Sequence, residues 1–163
     1  MQEILAATFE QGKMPLLVVL DRITDVRNFG AIARTAECLG ADAIVVPSRG
    51  SARINADAMK TSAGALNFLP ICREPNLKDT LRFLKDSGLQ IVACTEKAEK
   101  TLAENDLTGP IAILMGSEED GISPEYMKFA DTQALIPMAG QVESLNVSVA
   151  AAICLYEVVR QRG

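Results

Sequence analysis

Three stretches of the chain concentrate the side chains that could do chemistry. Asn28 and Arg34 lie six residues apart, Glu118 sits in GSEEDG, and Ser144 and Asn146 sit in VESLN. The chain has no histidine, which excludes Ser-His-Asp and Cys-His catalysis, an imidazole general base and every His-ligated metal site. What remains is an always-charged planar guanidinium suited to phosphate, amides and hydroxyls that orient polar groups, and carboxylates that accept N–H bonds. Each residue alone has a plain structural alternative. Asn28 could cap a helix, and Arg34 could pair with Glu37 at i,i+3. Glu118 beside Glu119 and Asp120 could be a solvated acidic turn, and Ser144 could cap the last helix. Asn146, at an otherwise apolar helix entrance, is harder to dismiss. Gly116 and Gly121 are turn residues on either reading.

These residues need a scaffold, and the apolar runs supply one. LLVVLD (16–21) is a compact run typical of a strand buried on both faces. Further runs lie at 43–47, 68–72, 91–95, 111–116 and 134–137. Helical patterns occupy 30–39, 77–87, about 124–130 after Ser123-Pro124, and about 145–161, with a short helix and polar turn over 1–14. The alternation predicts an α/β fold with a mostly parallel sheet flanked by helices. Ligands of such sheets bind at the carboxyl ends of strands. The loops there begin at Asp21, Thr95, Gly116 and Pro137, and none contains a dinucleotide or P-loop fingerprint.

With 163 residues the chain fits one domain. Its 48% hydrophobic and 23% charged residues are ordinary globular values. No apolar run reaches the ~20 residues of a membrane span, and the N-terminus has no signal-like segment, so a cytoplasmic protein is expected. Cys38, Cys72, Cys94 and Cys154 form no C-x-x-C pair and read as reduced core thiols. The net charge of −5 is unusual for a nucleic-acid-coating protein, though it leaves room for a local basic patch. VSVAAAICLYEVV (147–159) is apolar round most of its circumference, so it is either a central core helix or a helix partly covered by a second subunit.

Taken together, NFGAIARTAECLGAD, MGSEEDGIS and IPMAGQVESLNVSVAAAICLYEVVRQR resemble, in order and spacing, the three motifs of the TrmH-type SPOUT RNA methyltransferases. The resemblance covers 15–162. It is greatest to the bacterial enzymes that methylate a guanosine ribose in 23S rRNA, a group that SAR-x-N (51–55) and SAGA (62–65) also fit. Phe29, Ser117 and Glu119 depart from the commoner residues. Glu119 stands where glycine is usual, which bears on the backbone of that loop.

The resemblance implies a 2′-O-ribose methyltransferase that uses S-adenosylmethionine and no metal. It implies a sheet whose C-terminal part, roughly 90–163, is threaded into a deep trefoil knot. The cofactor would be held by Thr95, Met115, Gly116, Gly121, Ile136, Met138, Ser144 and Leu145. The functional positions carried over are Asn28, Arg34, Glu118, Ser144 and Asn146. Arg34 would bind phosphate and hydroxyl and stabilise developing alkoxide charge, oriented by Asn28, Ser144 and Asn146. Glu118 would fix the glycine turn by accepting N–H bonds. Arg22, Arg27, Arg34, Arg49, Arg53 and Lys60 would face RNA, rRNA or tRNA. A homodimer through the last helix would bring the first-motif helix of one subunit near the partner's last helix. Residues 1–14 would be an extension before the catalytic domain at 15–163, and the small N-terminal RNA-binding domain usual in the family would lie outside this chain. A non-catalytic RNA- or cofactor-binding module on the same fold is the alternative.

Overall fold

Every residue of the first strand, β1 (Leu16–Asp21), is buried, as a central strand covered on both faces must be. The computed structural model describes residues 1–163 and shows a six-stranded, all-parallel sheet. The other strands are β2 (Ala43–Pro47), β3 (Ile71–Glu74), β4 (Gln90–Cys94), β5 (Ile111–Gly116) and β6 (Thr132–Ala134). The helices are α1 (Gln2–Glu10), α2 (Val26–Cys38), α3 (Ala56–Thr61), α4 (Leu77–Asp86), α5 (Pro124–Met127) and α6 (Val147–Arg162). The order across the sheet is β3-β2-β1-β5-β4-β6.

The period-2 alternation of β1 divides its side chains between two cores. Leu16, Val18 and Leu20 pack with Phe29, Ile32 and Ala36 of α2 and with Ala151, Leu155 and Val158 of α6. Leu17 and Val19 pack with Leu81 and Leu84 of α4 and Leu5 of α1. Within residues 1–14, α1 packs Leu5 into that second core.

The boundaries that differ from the sequence expectation have local causes. α2 starts at Val26 rather than 30, because Asp25 caps it, its carboxylate accepting the N–H groups of Arg27 at 2.8 Å and Asn28 at 3.1 Å. Gly30 therefore lies in the interior of the helix and not at its first position. A Cβ there would lie 2.7 Å from Thr61 Cβ, so glycine lets α3 close onto α2. α3 itself gave no sequence signal, being short and without apolar periodicity, and is started by the Asn55 side chain. β3 begins at Ile71 instead of 68, after a 3₁₀ turn over Ala65–Asn67. β6 ends at Ala134, and only a single bridge from Leu135 to Thr101 continues it. α6 begins at Val147, capped by Asn146 and not by Ser144. Glu37 and Arg34 form no ion pair.

Only one of the cysteines is a fully buried core thiol. Cys154 is buried, Cys72 and Cys94 are half-buried, and Cys38 at the end of α2 is exposed. The sulfurs of Cys94 and Cys154 lie 2.7 Å apart. That contact, with burial, holds the Cys94 thiol well above its usual range.

Both ends of α6 are tied down. At the far end Arg162 donates to the carbonyls of Met14, Pro15 and Gly109, and Gln161 bonds the Leu107 N–H and the Asn105 carbonyl. The near end is bound into the site. No helix is long and apolar enough to cross a membrane.

Candidate functional site

The carboxyl ends of β1, β5, β4 and β6 are neighbours in the sheet, so the loops that leave them meet. Those that leave β5, β4 and β6 enclose a cleft of about 290 Å³, near the lower end of small-molecule pockets. Thr95 enters it from the end of β4, Met115 and Gly116 from β5, and Gly121 from the loop that follows. Ile136, Met138, Ser144 and Leu145 enter from the extended segment between β6 and α6. All eight residues singled out for a ligand thus line one cavity, although they come from three separate stretches of chain. Cys94, Ile122, Met127 and Val147 also line it, apolar side chains whose place in the sequence gave no sign of it.

Gly116 is needed where it stands. A Cβ on it would lie 2.2–2.4 Å from backbone atoms of Gly121 and Ile122, so the loop can fold back onto the strand end only if no side chain intervenes. The turn is pinned by the Gly121 N–H bonding to the Ser117 carbonyl and the Asp120 N–H to Ser117 Oγ. Glu119 adopts no left-handed backbone, so its presence in place of glycine leaves the loop unstrained.

Glu118 leaves that turn and accepts the Val147 N–H at 2.8 Å. It therefore does not fix the glycine turn, as the sequence suggested. It satisfies an otherwise unpaired donor at the start of α6, where a carboxylate also complements the helix dipole. Beside it, Asn146 Oδ1 accepts the N–H groups of Ser148 and Val149 and the Ser148 hydroxyl. Its Nδ2 donates to Asn28 Oδ1 at 3.0 Å. Asn28, Asn146 and Glu118 are thereby brought into one constellation joining α2, α6 and the β5 loop.

Arg34 is not part of it. Six residues beyond Asn28, it points roughly 240° further round α2 and is exposed, unpaired and outside the cleft. Ser144 is exposed at the cleft rim and makes no side-chain hydrogen bond.

Of the six basic residues grouped for RNA, Arg22 is already engaged within the chain. Its guanidinium bonds Asp21 at 3.2 Å and the Gly121 carbonyl at 3.2 Å, and approaches Asp120 at 3.5 Å. Arg27, Arg34, Arg49, Arg53 and Lys60 are exposed and have no ion-pair partner. The sequence showed Asp21 as the carboxylate closing β1 but gave no role for it. It is buried, 1% exposed, and accepts the Ser123 N–H at 2.7 Å.

A second, open depression lies between α2 and α6, lined by Ala31, Thr35, Val149, Ala152, Ile153 and Tyr156. Tyr156 is 59% exposed and Val149 47%. The terminal helix thus buries one apolar face and leaves another uncovered.

Residues 15–156 match the family model described as the SpoU rRNA Methylase family. The chain belongs to that family. The matched stretch opens at β1 and takes in every residue of the Asn28–Asn146–Glu118 constellation; α1 precedes it. The chain is 44% identical over 159 residues to the 23S rRNA (guanosine-2′-O-)-methyltransferase RlmB of Yersinia pestis, covering 98% of this chain and 65% of that protein. It therefore spans about two-thirds of that relative's length. The SpoU methyltransferase AviRb from Streptomyces viridochromogenes, solved in complex with the cofactor AdoMet, superposes with a TM-score of 0.83 at 34% identity, over 91% of this chain and 60% of that one. The A. aeolicus TrmH/SpoU tRNA modifying enzyme superposes with a TM-score of 0.83 at 33% identity, over 98% and 84%. The SpoU membership agrees with the motif resemblance, and the six-stranded parallel sheet is the architecture these structures share.

Proposed function

We propose that this chain is the methyl-transferring domain of an RNA 2′-O-ribose methyltransferase that uses S-adenosylmethionine, acting on rRNA and most specifically on a guanosine of 23S rRNA. The observation that carries the reading is the Asn28–Asn146 bond, made by the residue between Leu145 and Val147, which both line the cleft. It joins the first and third motif blocks where a nucleotide and a cofactor would meet. The 44% identity to an enzyme of that name supports the substrate class.

The cleft suits such a cofactor. Met115, Ile136, Leu145 and Val147 offer apolar walls, and Gly116 lets the following loop fold back to complete the cleft. Thr95, Met115, Gly116, Gly121, Ile136, Met138, Ser144 and Leu145 would hold it. S-adenosylmethionine, when bound, supplies an already activated methyl group. The chain's own task is then to place a ribose hydroxyl and assist loss of its proton, and placement alone is worth up to ~7–11 kcal/mol in favourable cases. Asn28 and Asn146 orient the nucleotide. Glu118 holds the start of α6 so that Asn146 and Ser144 keep their positions. Arg34, permanently charged, binds the substrate phosphate and stabilises developing negative charge on the hydroxyl oxygen. Arg27, Arg49, Arg53 and Lys60 extend that surface for RNA.

Arg34 stands apart from the constellation within one chain, which favours a two-fold dimer in which α2 and α6 pack on the partner and Arg34 completes the partner's site. The uncovered apolar face of α6 and the small residues Ala31 and Ala152 suit a self-complementary contact. The family likeness also supports threading of the segment after β4 as a trefoil knot.

Calorimetry with S-adenosylhomocysteine, followed by a methyl-transfer assay on 23S rRNA with mapping of the modified ribose, tests the reading. One ligand per chain and a single ribose methylation are expected. Absence of binding at high micromolar ligand by folded protein would overturn it.

A further inference from the structure

Arg22 has a left-handed backbone, with φ of 60°, which a residue carrying a Cβ adopts at a cost and glycine adopts freely. The arginine side chain held there makes contacts that glycine could not. It reaches across from the end of β1 to the cleft loop. Nη2 donates to the Gly121 carbonyl at 3.2 Å, Nη1 lies 3.5 Å from an Asp120 carboxylate oxygen, and Nε donates to Asp21 at 3.2 Å. Asp21, itself buried, uses its other oxygen to accept the Ser123 N–H at 2.7 Å. The later half of the 117–123 loop is thus fastened at Gly121 and Ser123 to one strand end, 99 and 102 residues away in sequence.

We propose that Arg22, seated on Asp21, is a positioning residue for the cofactor cleft, holding the 117–123 loop in its binding shape before ligand arrives. The proposal rests on the reading of that cleft as the S-adenosylmethionine site. Its physical content is preorganisation. A loop ordered in advance loses less freedom on binding, so affinity rises without any contact between Arg22 and the ligand. Arg22 is then withdrawn from the RNA surface.

The test compares the wild-type chain with Arg22→Gly and Arg22→Lys. Hydrogen exchange of the peptide spanning 117–123 is measured in the free protein, thermal midpoint is recorded, and S-adenosylhomocysteine affinity is read by calorimetry. Arg22→Gly removes the strap but relieves the backbone, so exchange in the loop should quicken and the ligand affinity should fall by about tenfold, while the thermal midpoint holds or rises. A residue with a merely structural role would lower affinity and midpoint together. Arg22→Lys, a point charge without the planar fork, should recover only part of the affinity. Unchanged loop exchange with unchanged affinity in Arg22→Gly would overturn the proposal. So would a raised KM for RNA with loop exchange unaltered, which would return Arg22 to the RNA surface. If the wild-type chain failed to bind S-adenosylhomocysteine while the variant loop exchanged faster, the cofactor reading would fall and the strap itself would stand.

Discussion

The side-chain amide of Asn146 bonds in two directions, its Oδ1 capping α6 and its Nδ2 donating at 3.0 Å to Asn28 Oδ1, 118 residues earlier in the chain. The backbone donors at Ser148 and Val149 fix which end of the Asn146 amide faces α2. Because the cap and the link share one amide, the conformation that starts the last helix is also the one that presents Asn28.

Removing that amide should separate stability from activity. Asn146→Ala loses a helix cap, worth about 1 kcal/mol, and leaves the core intact. Its methyl transfer should fall far more than its stability, by at least tenfold. Urea denaturation and single-turnover methylation, run on the same preparation, measure both. A variant with normal turnover would remove Asn146 from the machinery.

Arg34→Ala should abolish methyl transfer with cofactor affinity nearly unchanged, because Arg34 lies outside the cleft. Arg34→Lys should fail as well, since an ammonium lacks the planar donor fork. Near wild-type turnover by the lysine variant would sink the assignment.

Two neighbouring alanines should respond differently to a charge. Ala151 is fully buried against the sheet, and a glutamate there would place an unpaired carboxylate in the core at a penalty of several kcal/mol, so Ala151→Glu should unfold the protein. Ala152 lines the exposed α2–α6 depression, so Ala152→Glu should stay folded and dissociate a dimer. Sedimentation equilibrium with circular dichroism distinguishes the two. A wild-type mass near 17.5 kDa at tens of micromolar would count against the dimer.

Gly116→Ala should fold but bind S-adenosylhomocysteine at least tenfold more weakly, because the new Cβ would overlap the backbone of Gly121 and Ile122 and displace the loop. Calorimetry against wild type is the measurement, and equal affinity would mean that the loop shifts without consequence.

The acid limb of stability should carry a contribution from α6. The Arg160 guanidinium, bonded to both Glu157 oxygens, and then Gln161 hold the Glu157 carboxyl down at about 2, against an ordinary 4.5. A depressed carboxyl stabilises the fold above its unfolded pKa, so this contribution is complete above about pH 4.5 and is lost as pH falls through about 2. Urea midpoints of Glu157→Gln should change less than those of wild type across that window. Parallel curves would show that the ion pair adds nothing to stability.

Much of the fold is determined by local pattern. LLVVLD, AIVVP and IAILMG are too apolar and β-branched to lie anywhere but in covered strands, and Leu77, Leu81 and Leu84 at helical spacing fix α4. The elements that escaped the pattern are those whose ends are set by a single side chain or a distant neighbour. Asp25 starts α2 four residues early, Asn55 starts the polar α3, and pairing with β4 decides where β6 ends.

The three motif blocks likewise named Asn28, Glu118 and Asn146, since residue type and order are properties of the chain. The bonds among them depend on tertiary structure. Asn28 meets Asn146, and Glu118 meets the Val147 N–H, only because a parallel sheet places the ends of β1 and β5 side by side and α6 packs back over them. Arg22 shows the limit most plainly. By charge and position it belonged with the basic residues on the RNA side, but the φ of 60° turns its side chain onto Asp21 and Gly121. A sequence specifies which groups are present, and the direction in which a long side chain points is decided by backbone angles and by partners a hundred residues away.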